Sequence, residues 1–412
     1  MIRRLVPLTL LALGAAACGG GAPTPGGSAA TQDKPKGAPV TIGTLHPLTG
    51  ALAVDGQQMA NAAKLAADEI NAAGGIKSLG GAQVTIASAD TQGKPEVAQS
   101  EAQRLIQEGA TALVGPYQSA VASQIAAVAE RSTIPFVIDV ATADSILAQG
   151  YTYTFRIQPN ASVMGTEGAK YMLELAKATG TPVKKIGYLH EQTEFGTTVM
   201  KAFAEEAKKQ GVTVDPVISY DAFKASDLTT EVTRMKEAGV DVIAVTGYYR
   251  DGLLVAKNID SVKPGAKAVL GVANGAFDLP QFPKDLGATA DGYFDANYHA
   301  DVTKTEYQAL AKSFQTKYGA EIRTPAVLSY EAVRLIAAGL EKSASSDRAK
   351  LRDAISGLSF ETLMANKGKV EFAKNGENKN AVPILMQVQS GAVKQVFPKD
   401  FEESKPAFPA VK

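Results

Sequence analysis

The sequence predicts an α/β protein made of two doubly wound lobes, each built on a parallel sheet. Short runs of β-branched residues alternate with amphipathic stretches of helical length from residue 40 onward, which is the pattern of parallel βαβ units. The alternation restarts after residues 153–156, so two similar sheets follow one another along the chain. A folded body of about 370 residues is also long for a single core and suits two domains.

The first set of elements contains four expected strands, at residues 40–45, 84–86, 112–115 and 134–138. Apolar residues recur at helical spacing in the stretches between them, the first of which carries Met59 and Ala66 on one stripe. Gly74 and Gly75 are expected to end that helix, and Pro95 is expected to open the next one. These elements predict the first lobe.

The second set contains four further expected strands, at residues 186–189, 212–214, 240–245 and 268–270. After residue 291 the chain is expected to recross, with helices at 307–314 and 326–340 joining the first lobe and a strand at 384–386 joining the second. The predicted domains are residues 39–157 with 300–381 as the first lobe, residues 158–299 with 382–400 as the second lobe, and residues 401–412 as a tail.

The N-terminus has the features of a secretion signal. Arg3 and Arg4 precede an apolar stretch at residues 5–17, which is shorter than the about 20 residues needed to cross a bilayer and ends in small residues. Its position before Cys18 resembles a bacterial lipoprotein signal, which implies that residues 1–17 are removed and that Cys18 anchors the chain to a membrane through lipid. An ordinary signal peptide with an incidental cysteine is the alternative.

Composition narrows the classes of function. Cys18 is the only cysteine, so an intramolecular disulfide, cysteine-ligated zinc and a thiol nucleophile are not expected. The 42 basic and 42 acidic residues balance, and nucleic acid is not an expected partner of such a chain. Residues 18–38 are rich in glycine, proline, alanine, serine and threonine, which favours a flexible tether between the cysteine and the lobes.

Four stretches of the sequence resemble a known family in their order and spacing. They are residues 42–50 (IGTLHPLTG) with 70–76 (INAAGGI), residues 114–119 (VGPYQS), residues 134–143 (IPFVIDVATA) and residues 155–170 (FRIQPNASVMGTEGAK). Through them the chain resembles the branched-chain amino acid type (Leu/Ile/Val-binding) solute-binding proteins, in the first structural class of periplasmic binding proteins. The resemblance implies two lobes joined by three crossovers that close on a small-molecule ligand. It also implies ABC permease and ATPase subunits as partners and an extracytoplasmic location, periplasmic or at the cell surface.

The expected binding site lies in the loops beyond the carboxyl ends of the strands, where open α/β sheets bind ligands. In the first lobe these loops contain the candidate residues Asp55, Tyr117, Gln118, Ser119, Val140, Ala141 and Thr142. In the second lobe the candidates are Phe195, Tyr248 and Asn274. By resemblance, Ser119 and Thr142 would hold a ligand carboxylate, and the rings of Phe195 and Tyr248 would close over the ligand. Helix capping by Ser119 and packing roles for Tyr117 and Phe195 are the alternatives.

The loop after the strand at 268–270 departs from the family pattern. Amino acid binders of the family usually place a carboxylate there, which pairs with the ligand ammonium, whereas residues 271–277 read GVANGAF and no acid occurs before Asp278. Because a desolvated ammonium needs a partner, either Asp55 replaces that carboxylate or the ligand lacks a free amine. In the second case the ligand would be a carboxylate, an amide or an aromatic acid.

Two other classes of function stay open on the sequence. His46 and His190 lie near strand ends, but metal-binding, nucleophile-elbow and phosphate-loop motifs are absent, so we expect no catalytic residue, metal or cofactor. A soluble sensor that reports ligand occupancy to a chemoreceptor or kinase is the other alternative. In the favoured mechanism, hinges near Arg156, Asp295 and Pro383 bend and the two lobes close on the ligand.

Overall fold

The first lobe is built on a sheet of five parallel strands. The computed structural model describes residues 33–412, so the predicted signal peptide and the lipidated Cys18 lie outside the described residues. The strands are β1 (Val40–His46), β2 (Val84–Asp90), β3 (Ala112–Gly115), β4 (Phe136–Ile138) and β5 (Thr154–Arg156). Their order is β2-β1-β3-β4-β5, and β3 and β4 are buried at every position, as inner strands of a covered parallel sheet must be.

Four helices connect these strands: α1 (Ala53–Ala72), α2 (Pro95–Gln107), α3 (Ser119–Arg131) and α4 (Ser145–Ala148). Pro95 occupies the first turn of α2, where its missing N–H leaves no backbone hydrogen bond unmade. Gly74 and Gly75 follow the end of α1 with φ of +102° and +71°, which L-residues with a side chain rarely adopt. The predicted start of α2 and end of α1 are therefore confirmed.

The second lobe repeats this arrangement with five further parallel strands. They are β6 (Lys185–Glu191), β7 (Thr213–Tyr220), β8 (Val242–Thr246), β9 (Ala268–Val272) and β10 (Phe294–Asn297). The helices are α5 (Ala161–Ala178), α6 (Glu194–Lys209), α7 (Thr229–Glu237), α8 (Tyr249–Val262) and α9 (Gln281–Leu286). Each of the four strands expected in this set overlaps one of the strands observed.

The chain then recrosses, as the sequence predicts. It adds to the first lobe the helices α10 (Thr305–Tyr318), α11 (Thr324–Ser343) and α12 (Arg348–Ser356) and the short antiparallel strands β11 (Ser359–Phe360) and β12 (Val370–Glu371). α11 packs along α1, and the Tyr318 hydroxyl of α10 donates to Asn61 O at 2.9 Å. α12 has no counterpart among the predictions, because Leu351 and Ile355 are the only large apolar side chains in its charged sequence RAKLRDAIS.

Two antiparallel strands complete the second sheet, where the sequence predicts one. β13 (Ile384–Gln389) and β14 (Ala392–Phe397) form a hairpin, and the sheet order is β14-β13-β10-β9-β8-β6-β7. The unrecognised signal is the turn between them, since Ser390 and Gly391 both have positive φ, the geometry of a tight hairpin. The predicted α/β fold with two lobes and three crossovers is confirmed, with an antiparallel edge added to the second sheet.

Both ends of the described chain are bonded to a lobe. The Asp33 carboxylate accepts the N–H groups of Ser346 and Asp347 of the first lobe at 3.0 and 3.1 Å. The hydrogen bond from Ser345 is the main reason that the pKa of Asp33 falls to about 2. At the other end, in the predicted tail, the Lys412 N–H donates to Ala266 O of the second lobe at 2.9 Å. The chain therefore joins the folded body through the first lobe.

Two of the three crossovers are bonded to each other. They follow β5 and β12, and the third follows β10. The Arg156 N–H donates to Gly376 O at 2.9 Å, and the Asn378 N–H donates to Arg156 O at 3.2 Å. The Asn378 side chain also donates to Ile157 O at 2.8 Å. These contacts make a single connected unit of the two backbone segments.

The guanidinium of Arg156 lies at the centre of this unit. It has no exposed surface, and it donates to Thr142 O at 2.6 Å and to Ala143 O at 2.7 Å. The Glu377 carboxylate lies 3.6 Å away. One buried cation thus fixes the loop after β4 and faces an acid of the neighbouring crossover. Lysine could not reproduce both bonds, because only arginine presents a planar fork of donors.

Replacing Arg156 by methionine should lower the free energy of unfolding by about 3–5 kcal/mol, because two buried carbonyls would lose a charged donor and Glu377 would lose the neighbouring cation. Urea unfolding measures this loss. Arg348→Met is the matched control, since Arg348 of α12 is also buried and donates to Ala110 O at 2.6 Å. Only Arg156→Met should speed amide hydrogen exchange at residues 140–144. Unchanged protection there would contradict the role given to Arg156.

Candidate functional site

A cavity lies between the two lobes at the carboxyl ends of their parallel strands. The centre of a water-sized sphere can move through about 30 Å³ of it, so the closed cavity is small. Its walls are Tyr117, Ser119, Val140 and Thr142 from the first lobe, Phe195, Gly247, Tyr248, Ala273, Gly275 and Asn297 from the second, and Tyr298 from the crossover after β10. Six of the ten residues predicted for ligand binding therefore line one cavity.

The polar part of the wall is formed by Ser119 and Thr142. Ser119 is the first residue of α3, and its Oγ accepts the N–H groups of Thr142 at 3.2 Å and Ala143 at 3.1 Å. The hydroxyl proton of Ser119 remains available for a ligand, and the capping alternative does not apply because Gln118 precedes the helix. Thr142 Oγ1 is buried and has no hydrogen-bond partner within residues 33–412. Two hydroxyl donors therefore lie at the positive end of a helix.

The apolar part of the wall is formed by aromatic rings from both lobes. The ring centroid of Tyr248 lies 6.1 Å from that of Tyr117 across the cleft and 5.7 Å from that of Phe195. Behind the cavity, Phe223 stacks on Tyr248 with centroids 5.4 Å apart. A Cβ atom added to Gly275 would lie only 3.0 Å from the Tyr117 hydroxyl. The lobes are therefore closed on one another in this structure.

Asp251 in the first turn of α8 positions Tyr248. Its carboxylate accepts the Tyr248 N–H at 2.9 Å and the Tyr220 hydroxyl at 2.7 Å, and its side chain is buried. Burial raises the pKa of Asp251 to about 7, and the nearby Glu191 carboxylate acts in the same direction, against the lowering effect of the hydrogen bonds. The loop that carries Tyr248 thus depends on a carboxyl group that titrates near neutrality.

Three predicted residues do not reach the cavity wall. The Gln118 side chain turns away and donates to Gly93 O at 3.3 Å. Ala141 is buried, and its carbonyl accepts the Gln158 side chain at 2.8 Å. Asn274 is fully buried, and its Oδ1 accepts the Ala276 N–H at 2.9 Å within the turn after β9. Each residue lies in a predicted loop, but its side chain or carbonyl is used to hold that loop in place.

Asp55 is also absent from the wall. Its carboxylate accepts the Arg323 guanidinium at 2.7 Å, and both side chains are largely buried. Burial raises the pKa of Asp55, while the Arg323 charge lowers it. The Arg323 guanidinium also lies over the ring of Tyr249, 5.2 Å from its centroid. Because Asp55 is already paired with an arginine, the geometry does not support the expectation that it replaces the missing ammonium partner.

Asn297, the last residue of β10, and Tyr298, which follows it, line the cavity but are not among the predicted ligand contacts. The same strand-end rule that selected the other loops would have found them. The Asn297 side chain donates to Asn274 O at 3.0 Å, and its Oδ1 accepts the Tyr298 N–H at 2.9 Å. Its amide is therefore occupied by the backbone. Gly247, Ala273 and Gly275 also line the cavity, but they have no functional group by which the sequence could mark them as ligand contacts.

No charged side chain belongs to this cavity wall. The acids nearest in sequence to the β9 and β10 ends, Asp278 and Asp295, are buried but absent from the wall. Burial raises the pKa of both carboxyl groups, and their mutual repulsion adds to the effect on Asp295. The walls therefore offer hydroxyls, rings and one amide that is already bonded.

Neither histidine singled out in the sequence lines the cavity. His46 Nε2 lies 2.8 Å from Asp139 Oδ2, and the Ser329 hydroxyl donates to that same oxygen at 2.6 Å. The serine contacts the acid and not the imidazole, so this group lacks the arrangement of a catalytic triad. His190 Nδ1 lies 2.8 Å from Glu191 O. Residues 33–412 also contain no cluster of three or more histidine, cysteine or acidic side chains suited to a metal ion.

Asp251→Asn should change how stability depends on pH. Between about pH 4 and 7 the folded protein keeps Asp251 protonated while the unfolded chain ionises it, so this group makes the free energy of unfolding fall as pH rises. Asparagine cannot titrate and should flatten that part of the profile. Urea midpoints at several pH values test this. An identical pH slope in both proteins would contradict the assignment.

The sequence matches the family described as "Periplasmic binding protein" over residues 39–392. A curated relative, Leu/Ile/Val-binding protein homolog 8 of Brucella melitensis, is 29% identical over 381 residues, which cover 90% of this chain and 93% of the relative. In the described part of the chain, no helix combines the length and apolarity needed to cross a membrane.

Two solved structures share the fold. The branched-chain amino acid transporter substrate-binding protein LivJ of Streptococcus pneumoniae, in complex with isoleucine, has a TM-score of 0.75 at 23% identity and covers 90% of this chain and 100% of that one. An ABC transporter solute-binding protein of R. palustris, in complex with benzoate, has a TM-score of 0.73 at 21% identity and covers 87% and 95%. Since the family match spans most of the sequence, the chain belongs to the periplasmic binding protein family.

Proposed function

We propose that this protein is the extracytoplasmic solute-binding component of an ABC importer. The observation that carries the proposal is a closed cavity whose walls come from both lobes and from a crossover. A ligand bound there contacts both lobes at once, so it stabilises the closed form over the open one. Membership of the periplasmic binding protein family supports this role, as do solved transporter binding proteins in complex with isoleucine and with benzoate.

In this proposal the ligand is a small amino acid-like, amide or carboxylate compound. Ser119 and Thr142 donate to its oxygen atoms, and the rings of Tyr117, Phe195 and Tyr248 pack on its body. Val140 adds apolar contact. Tyr298, which was not predicted from the sequence, joins the site because it lines the cavity. Gln118, Ala141 and Asn274 shape the loops, as their hydrogen bonds support. No residue is assigned a catalytic role.

Closure occurs by bending at the three crossovers, near Arg156, Asp295 and Pro383. Two of them lie side by side through the bonds of Arg156, so bending there involves both together. Pro383 is held by the Tyr171 hydroxyl, which donates to its carbonyl at 3.1 Å. Residues 39–157 with 300–381 and residues 158–299 with 382–400 are the proposed rigid bodies.

The proposed location is the periplasm or the cell surface. Cys18 carries the lipid, residues 18–38 form the tether, and the closed protein docks on a permease whose transport is driven by ATPase subunits. The single cysteine after an apolar segment that is too short to span a bilayer supports this arrangement. Sensing through a chemoreceptor or kinase has no specific support in the site.

An ion pair across the lobes provides a test of closure. Lys284 of α9 lies 2.8 Å from Glu321, which precedes α11, and both side chains are exposed. Exposed pairs contribute at most about 1 kcal/mol, so Lys284→Glu should shift the open population only several-fold and only at low salt. Small-angle X-ray scattering of the ligand-free protein should then report a larger radius of gyration.

The charge-swapped double variant Lys284→Glu with Glu321→Lys should restore the compact form. Lys369→Glu is the matched control, because Lys369 pairs with Glu361 at 2.6 Å within the first lobe. A radius that changes equally in Lys284→Glu and Lys369→Glu would argue against a contribution of this pair to closure.

Deleting the gene in its host tests the transport role. Growth on low concentrations of one class of solute, among branched-chain amino acids, amides, short carboxylates and aromatic acids, should be lost and should return with the wild-type gene. Tyr248→Ala should fail to restore it, because the ring that closes the cavity is gone. Normal growth on every class, with a defect in chemotaxis only, would replace transport by sensing.

A further inference from the structure

We propose that the ligand of the inter-lobe cavity is an aromatic carboxylate that carries no amine. This inference rests on the proposed solute-binding function and names its substrate class. Three properties of the cavity lead to it: its wall contains no acid, it presents hydrogen-bond donors at one end, and aromatic rings enclose the remainder.

An ammonium group would find no counter-charge in this cavity. Asp55 is bound to Arg323, and Asp278 and Asp295 lie outside the wall. The Asn297 amide at the end of β10 already bonds Asn274 O and the Tyr298 N–H. Burying a cation without a partner is strongly unfavourable, so the cavity selects against amino acids.

An anionic oxygen, by contrast, would meet unused donors. Thr142 is 3% exposed, and its Oγ1 has no partner within the described chain. The Ser119 oxygen already accepts two N–H groups, which directs its own proton elsewhere. The Ser119 hydroxyl stands at the start of the 13-residue helix α3, whose first-turn N–H groups and dipole favour negative charge, and the Thr142 N–H is bonded to it. Hydrogen bonds to a carboxylate are stronger than those to a neutral oxygen.

The remainder of the cavity is suited to a flat apolar body. Four rings line it, those of Tyr117, Phe195, Tyr248 and Tyr298. Aromatic pairs prefer offset or tilted contacts with centroids about 4.5–7 Å apart, and the rings already present adopt such spacing. A cage around a quaternary ammonium is disfavoured, because one face of Tyr248 is already covered by Phe223.

Pairs of compounds that differ only by an amine measure the effect of that amine on affinity. Calorimetric titration of the full chain in mild detergent would compare hydrocinnamate with phenylalanine, and isocaproate with leucine, which differ only by the α-amino group. Benzoate and benzamide would test the need for charge, and glycine betaine would test the cage. We expect hydrocinnamate or benzoate to bind at least about tenfold more tightly than phenylalanine, leucine and benzamide, because only they satisfy the donors without burying an unpaired cation.

A threonine pair supplies the matched control. Thr142→Val should weaken carboxylate binding roughly 10- to 100-fold, and Thr142→Ser should restore it, because the hydroxyl donates to a charged oxygen. Thr154 is equally buried, its Oγ1 is also without a partner in the described chain, and it lies outside the cavity. Thr154→Val should therefore leave the affinity unchanged. Equal affinity of the wild type and Thr142→Val would overturn the inference.

The remaining outcomes separate this inference from the proposed function. Tighter binding of leucine or phenylalanine than of its amine-free partner overturns the substrate class, and so does a preference for benzamide or glycine betaine. In each of these cases solute binding stands. If no compound of any class binds and X-ray scattering detects no compaction, both the substrate class and the solute-binding function fail.

Discussion

The buried guanidinium of Arg156 is the contact on which the arrangement of the site depends. It holds the carbonyls of Thr142 and Ala143, and their N–H groups in turn bond Ser119. A single residue at the end of β5 thereby connects the donor end of the cavity to the crossovers on which closure depends. The Arg156 guanidinium bonds only backbone carbonyls of the loop after β4. It therefore fixes the backbone conformation of that loop and leaves the side chains of the loop free to differ. Stability and binding geometry are therefore coupled in this region.

The cavity combines weak polarity with close packing. Its hydroxyls and rings carry no net charge, while carboxyl groups such as Asp251 lie one layer behind the wall. Charges in that outer layer are bonded to backbone or to other side chains, so they position the wall instead of contacting a ligand. Selectivity then comes from the buried polar groups that have no partner. A ligand that leaves such a group without a hydrogen bond binds more weakly.

Local patterns were sufficient for most of the fold and for part of the site. The strand-end rule selected the loops that carry Ser119 and Thr142, because strand ends are local features of the sequence, and the family resemblance added Phe195 and Tyr248. Asp55 could not be judged in the same way, since its partner Arg323 is far away in the sequence and only folding brings them together. Asn297 and Tyr298 were within reach of the rule, but the recrossing segment obscured them. The ligand roles of all these residues, and the lipid on Cys18, stay predictions.

The attachment of Asp33 to the first lobe has a mechanical consequence. In the proposed arrangement, a load on the tether would enter the folded body at Asp33, beside Ser346 and Asp347, on the lobe that also carries Ser119 and Thr142. Relative to Asp33, the first lobe would stay in place during closure and the second lobe would move. With the first lobe anchored as proposed, closure would displace the outer surface of the second lobe most, and that displacement would report occupancy to a membrane partner.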